Sequence, residues 1–310
     1  IWSVHNGEYP WESGESGYFN SVDEIARKLG AEVRVNSKVT SLIHEGNTVT
    51  GVRVEDKQHT YTVNAKKVIL ATGGFTRNRN MVAEYAPDFV NAFPMTGAGS
   101  TGDGITMTRD FGTQVVGEGM MGLMGVNMNY GYYGPIGNLV WHPKVIVNKE
   151  GKTFGMDKVF YSETLALLLK QTDSQGIGIF DGTTDMTERL DVAVNARVAK
   201  KFATLKELAE SYSINAEALE VTASEHSIKE GPYYAMVIRP LFIGSIPGLK
   251  VDDECRVLNN EGKIVENLLA AGELIFGNMF QVRYPASGTG VGLSTYTGAL
   301  AARTALSDMK

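Results

Sequence analysis

The chain has 310 residues, a formal net charge of −6 and 43% hydrophobic residues. At roughly 100–200 residues per domain this length predicts two domains, or one large domain with an insertion, and the apolar share excludes intrinsic disorder. An acidic balance without a dense Lys/Arg run argues against nucleic acid as partner, and no apolar stretch approaches the roughly 18 residues of a membrane span.

Cys255 is the single cysteine, which rules out an internal disulfide and a cysteine-based metal cluster and fits a reducing, cytoplasmic compartment. The chain opens at Ile1 with no Met and no signal-like segment, so it reads as a processed or truncated piece of something longer. Glycine is enriched: 35 residues, clustered at 73–74, 97–137 and 272–298, where backbone must lie close to something or turn tightly. Met120, Met121, Met124 and Met128 also cluster. They read either as adaptable packing or as the wall of a pocket for a flat apolar ligand.

In chain order, residues 1–17 are punctuated by Gly and Pro and read as irregular. Residues 21–29 predict a helix capped by Ser21 with Glu24 and stopped by Gly30. Alternating segments at 32–35, 38–44, 48–55 and 60–63 predict an antiparallel meander. Residues 67–71 form a short unbroken apolar run, suited to a strand buried on both faces of a mainly parallel sheet, and end at Thr72-Gly73-Gly74. A helix is expected at 102–111, a strand at 145–148, a helix at 163–171 and a strand at 177–180. Further helices are expected at 191–199, at 205–212 (capped by Thr204 with Glu207) and at 216–226. Strands return at 233–238, 250–251, 256–258 and 268–271, the last ending in Gly272-Glu273, before a small-residue helix over 290–306.

Several familiar chemistries lack support. Gly97-Ala98-Gly99-Ser100-Thr101-Gly102 spells G-x-G-x-x-G, but no buried strand precedes it, so it reads as a loop leading to Thr101 or Asp103 as a helix cap. The five histidines (His5, His44, His59, His142, His226) are scattered without metal-ligand spacing, and no metal is expected. No G-x-S-x-G elbow is present for a serine hydrolase.

Six segments in order nonetheless make sense together: ATGGF at 71–75, its continuation over 76–87, TGDGI at 101–105, VNKEGKTF at 147–154, GPYYA at 231–235 and LLAAGE at 268–273. The set resembles the fumarate reductase/succinate dehydrogenase superfamily of FAD-dependent flavoproteins. The C-terminal segment YPASGTGVG at 284–292 points elsewhere and is similar to a motif of 3-ketosteroid dehydrogenases.

That resemblance implies an α/β fold with an α+β cap. A Rossmann-like FAD-binding domain with an antiparallel meander would occupy 1–95 and 235–310, lacking its first G-x-G-x-x-G unit. A substrate-capping domain would occupy 96–234. It implies FAD as cofactor, held by Val39, Ala71, Thr72, Gly73, Gly74, Glu273, Gly290 and Val291. Tyr284 and the Gly288 N–H would hold a keto oxygen as an oxyanion hole does, and Arg283, Tyr234 and Tyr233 are candidates for proton transfer.

The implied activity is reduction or formation of a C=C bond conjugated to a carbonyl, with hydride passing through flavin N5. The partners would be a small apolar carbonyl substrate and an electron donor or acceptor. Two other readings stay open. One is a fumarate reductase-type dicarboxylate reductase, against which stand the absence of His from 122–125 and 242–248 and of Arg between Phe154 and Arg189. The other is a non-catalytic fragment without flavin, because the pyrophosphate would lack its helix N-terminus.

Overall fold

A computed structural model describes residues 16–127, 129–130, 134–156, 161–280, 283–285 and 288–309. The irregular reading of residues 1–15, and Met128, Ala286 and Ser287 among the motif residues, lie outside this set. The chain divides into two compact units, residues 1–41 with 52–63 and residues 42–51 with 64–310.

The first unit carries helix α1 (Ser16–Lys28) and parts of strands β1 (Lys38–Glu45), β2 (Thr48–Glu55) and β3 (Thr60–Asn64). Helix α1 starts five residues before the expected cap, so Ser21 lies inside it. Its exposed face is held by ion pairs one turn apart, Arg27–Asp23 at 2.8 Å and Lys28–Glu24 at 2.6 Å. Gly30 does end it, at φ +92°. The strand expected at 32–35 is not formed: Val33 and Val35 are exposed, and Arg34 instead reaches over the Tyr61 ring.

The second unit is a mixed α/β body. Its elements are β4 (Val68–Leu70), α2 (Arg79–Tyr85), β5 (Phe93–Pro94), α3 (Asp103–Met107), β6 (Val115–Val116), β7 (Met120–Gly125) and β8 (Val145–Val147). Then come α4 (Tyr161–Leu169), β9 (Gly176–Phe180), α5 (Thr187–Asn195), β10 (Ala199–Phe202), α6 (Leu205–Tyr212), α7 (Ala216–Glu225) and β11 (Tyr233–Ser245). The unit closes with β12 (Gly248–Leu249), β13 (Arg256–Leu258), β14 (Ile264–Ala270), α8 (Gly277–Phe280) and α9 (Thr289–Ser307).

One sheet centres on β14. It runs antiparallel to β13 and parallel to β4, with Leu268, Leu269 and Ala270 opposite Val68, Ile69 and Leu70. Glu266, two residues earlier, faces Thr48 of the hairpin tip. Between these partners Asn267 takes φ +63°, a conformation its short amide tolerates, and its Nδ2 donates to Val49 O.

The other sheet centres on β11, which is much longer than the expected strand. Its first half pairs with β9 and β10 and its second half with β7 and β5. Strand β7 was not expected, since Met and Gly carry little strand propensity. Packing forms it: every residue is buried, and Gly122 and Gly125 leave room for Leu165, Phe89 and Leu241.

Helix α6 matches its expected bounds, and the capping box is complete: Glu207 N donates to Thr204 Oγ1 (3.2 Å) and Thr204 N to Glu207 Oε2 (3.2 Å). The helix expected at 191–199 instead runs four residues earlier. Arg197 at φ +59° turns the chain without glycine, and Ala199 begins β10. The helix expected at 102–111 is α3 followed by a 3₁₀ turn, and its N-cap is Gly102 at φ +81°.

The β8–β9–β11 core is closed by α6 and α7 and pinned by one ion pair. Asp181, fully buried, accepts from Lys144 Nζ (2.7 Å), Thr183 Oγ1 (2.7 Å) and Lys229 N (3.1 Å). Burial pushes this carboxyl up, but the Lys144 ammonium and the other donors outweigh it and hold it below the usual aspartate range. Removing one partner of a buried pair is costly. Asp181→Ala should therefore lose on the order of 3 kcal/mol at pH 7 in urea unfolding. The gap to the parent should narrow as pH falls below the ordinary aspartate value, where the parent's own pair is protonated away.

Candidate active site

The parallel register of β4 on β14 brings the two glycine-tipped strand ends side by side. Ala271 N donates to Leu70 O (2.9 Å), continuing the ladder to the point where Thr72, Gly73 and Gly74 leave one strand and Gly272 and Glu273 leave the other. Gly73 and Gly272 both sit at φ near +70°, a turn that a side chain would strain. Gly74 is close-packed: a Cβ there would collide with Ser245 Oγ and Glu273 Oε1.

Glu273 Oε1 accepts from Ser245 N (2.7 Å) and Ser245 Oγ (3.0 Å), so β4, β11 and β14 meet at one carboxyl. Burial pushes this carboxyl above the usual glutamate range, partly opposed by the Ser245 donors and the Gly74 N–H. Thr72 Oγ1 is buried without a hydrogen-bond partner among the described residues. It lies against Gly104, where a Cβ would collide with it.

Helix α9 is tied to the same strand ends. Thr297 Oγ1 accepts from Gly272 N (2.9 Å) and donates to Leu293 O (2.7 Å). At the helix C-terminus Asp308 holds Arg256 (2.9 Å) and Lys67 (3.4 Å). At its N-terminus Gly290 N donates to Tyr284 Oη (3.0 Å), which leaves the phenol its own proton as a donor. A chain of edge-on rings carries Tyr284 back toward the strand ends: Phe276 to Phe280 at 5.0 Å and Phe280 to Tyr284 at 5.6 Å. Phe276 follows Glu273 by three residues, and its N donates to Glu273 O (3.2 Å).

The structure thus groups Ala71, Thr72, Gly73, Gly74 and Glu273, and links Tyr284 and Gly290 to them through α9 and the ring chain. Gly288 is the N-cap of α9, at φ +91°, and Val291 is exposed in its first turn. Arg283 is exposed, 3.9 Å from Glu163 on α4.

Tyr234 is placed elsewhere. It is fully buried, its Oη donates to Asp191 Oδ1 (3.0 Å), and Lys201 lies over its ring. Eleven steps along β11 lead from it to Ser245, about 36 Å if extended at roughly 3.3 Å per residue. Tyr233 sits beside it, and Val39 belongs to the other unit, half-buried on β1. Ser245 was not among the expected site residues. Its signal was present only as a lone hydroxyl in the otherwise apolar stretch 240–249.

A family model described as an FAD-binding domain matches residues 19–291. The chain belongs to the FAD-binding domain family. The NADH:fumarate oxidoreductase of Klebsiella pneumoniae is 25% identical over 81% of the chain and 29% of its own length. The urocanate reductase of Eggerthella lenta is 26% identical over 88% of the chain and 54% of its own length. The chain therefore spans between about a third and a half of these relatives. In fold it is similar to a 3-ketosteroid Δ1-dehydrogenase from Sterolibacterium denitrificans, with a TM-score of 0.77 and 21% identity over 92% of the chain and 62% of that structure.

FAD is thus the cofactor, and the residues fit it. The site offers open backbone at Gly73, where nothing lies within 4 Å of a Cβ, and a carboxyl at Glu273 able to bind hydroxyl groups. In the loop at 97–102 a Cβ at Gly97 or Gly99 meets nothing within 4 Å, whereas Gly102, at φ +81°, lies against Phe75 and Met81.

Two outcomes follow. Gly74→Ala should weaken FAD affinity at least tenfold in a fluorescence titration, while Gly97→Ala should leave it unchanged. For Glu273 the folded protein holds its proton to higher pH than the unfolded chain. Stability of the cofactor-free protein should therefore fall as pH rises above the ordinary glutamate value of 4.5. Urea midpoints for Glu273→Gln should show that slope removed.

Proposed function

We propose that the protein reduces or forms a C=C bond conjugated to a carbonyl on a small apolar substrate, using FAD and an external electron donor or acceptor. One observation carries the reading. The same strand ends that offer a bare cradle and a carboxyl also anchor, through Thr297 and the Phe276–Phe280 rings, a phenol fixed at the N-terminus of α9. Bound FAD supplies hydride transfer to or from the carbon skeleton.

The chain's own part is positioning and polarisation. Thr72, Gly73, Gly74 and Glu273 would hold the cofactor, with Gly290 and Val291 at the start of α9. Tyr284 Oη, oriented by the Gly290 N–H it accepts, would donate a hydrogen bond to the carbonyl oxygen, joined by the Gly288 N–H. Both donors sit at the positive end of α9, where negative charge developing on that oxygen is stabilised. Arg283 would handle the proton at the α-carbon. Tyr234 has no such role in this proposal, since its hydroxyl is committed to Asp191.

The relatives' names support the bond type: one is named for fumarate, one for urocanate, and the similar structure for a 3-ketosteroid. The fumarate name alone favours a dicarboxylate reductase. Against it, β7 and residues 240–249 contain no Lys, Arg or His to neutralise two carboxylates beside Glu273.

FAD-loaded protein assayed with 2-cyclohexen-1-one and with fumarate separates these readings, turnover of the enone alone being the expected result. Tyr284→Phe should lower kcat by about 10²-fold, the loss typical of one oxyanion donor, with FAD content unchanged. Turnover of fumarate alone would establish the dicarboxylate reading, and protein that retains no flavin would leave the chain non-catalytic.

A further inference from the structure

The apolar wall next to Glu273 contains a device that nothing above assigns. Strands β7 and β11 pair with Phe242 opposite Gly122 and Ser245 opposite Met120, so three steps on β11 match two on β7. The extra residue is a bulge at Ile243 and Gly244, opposite Met121. A Cβ at Gly244 would collide with Met121 Cε and lie 3.3 Å from Glu273 Oε1. The thioether end of Met121 therefore occupies the space into which any side chain at 244 would project.

Met121 is buried, and it clusters with Ile246 and Phe276 against Phe280 and Tyr284. This wall thus runs from the carboxyl of Glu273 to the phenol of Tyr284. Methionine is the natural filler for a space that must reshape, because its unbranched side chain can swing between rotamers at little cost.

We infer that Met121 and Gly244 form a specificity pair: Met121 plugs the space left by the glycine bulge beside Glu273 and yields it to a flat, uncharged enone, while the wall it completes rejects carboxylates. The inference rests on the function proposed above and names the substrate class for that same site. Two charges placed against this wall would meet a carboxyl, thioether and aromatic carbon; β7 and 240–249 add no cation to Arg283, and one guanidinium does not neutralise two carboxylates.

The test follows the methionine itself. In FAD-loaded protein labelled with ¹³C at the methionine methyls, the Met121 signal is assigned by its loss in Met121→Leu. Titration with 2-cyclohexen-1-one should shift or broaden that signal, and titration with fumarate should not. In parallel, Gly244→Ala should weaken enone binding about tenfold, read from the perturbation of the flavin spectrum. Because the clash is with the far end of one flexible side chain, adding Met121→Ala should restore most of that loss, a non-additivity expected only of residues in contact.

Enone binding that perturbs the flavin but leaves the Met121 methyl unmoved would overturn the pair, as would additive losses in the double variant or a Met121 shift with fumarate. Those results would leave the FAD site standing. Failure of the unsubstituted protein to take up FAD would instead remove the functional reading on which the pair rests.

Discussion

Three strands converge on a single carboxyl. Glu273 leaves β14 and is received by the N–H and hydroxyl of Ser245 at the end of β11, with Gly74, at the tip of β4, pressed against both. The contact is possible only because β4 lies parallel to β14 in a register that ends both strands at the same level, and because residue 74 has no side chain. It joins the sheet built around β14 to the sheet built around β11 at the site itself. The carboxyl is costly to bury, and its raised proton affinity reports that cost.

The remaining elements can be understood as supports for that junction. Helix α9 is fixed at three levels: by Tyr284 at its start, by Gly272 at its middle and by Arg256 and Lys67 at its end. A side-chain hydroxyl buried inside a helix usually serves its own turn. Thr297 does this and also takes the N–H of a strand tip, which makes the helix part of the cradle. The Asp181 cluster plays a different part: beside the start of β11, it stiffens the distal half of that strand's sheet without touching the strand ends. Binding chemistry and structural rigidity thus sit at opposite ends of one long strand.

Those features legible in the sequence were the ones with local causes. The runs at 67–71 and 268–271 end in glycine because the chain must turn at φ near +70° with nothing projecting, and both were visible as apolar runs stopped by glycine. The Thr204–Glu207 box was legible for the same reason, its partners being three residues apart. Features with distant causes were not. Strand β7 exists because Leu165, Phe89 and Leu241 fill the spaces of its glycines, and Ser245 matters because Glu273 reaches it from 28 residues away. Helix α5 stops at Arg197, where positive φ is borne without glycine, so its end carried no signal. Tyr234 was a candidate for proton transfer, and only the fold shows that its buried hydroxyl bonds Asp191, at the other end of β11 from Ser245.

The central claim is that two separate stretches of chain form one surface for one cofactor. Amide hydrogen exchange measured with and without saturating FAD, its uptake confirmed by absorbance, addresses this directly. The account predicts that peptides covering 71–74 and 271–273 gain protection together, over the same range of FAD concentration. Protection of only one of the two, or of neither while flavin is bound, would contradict it.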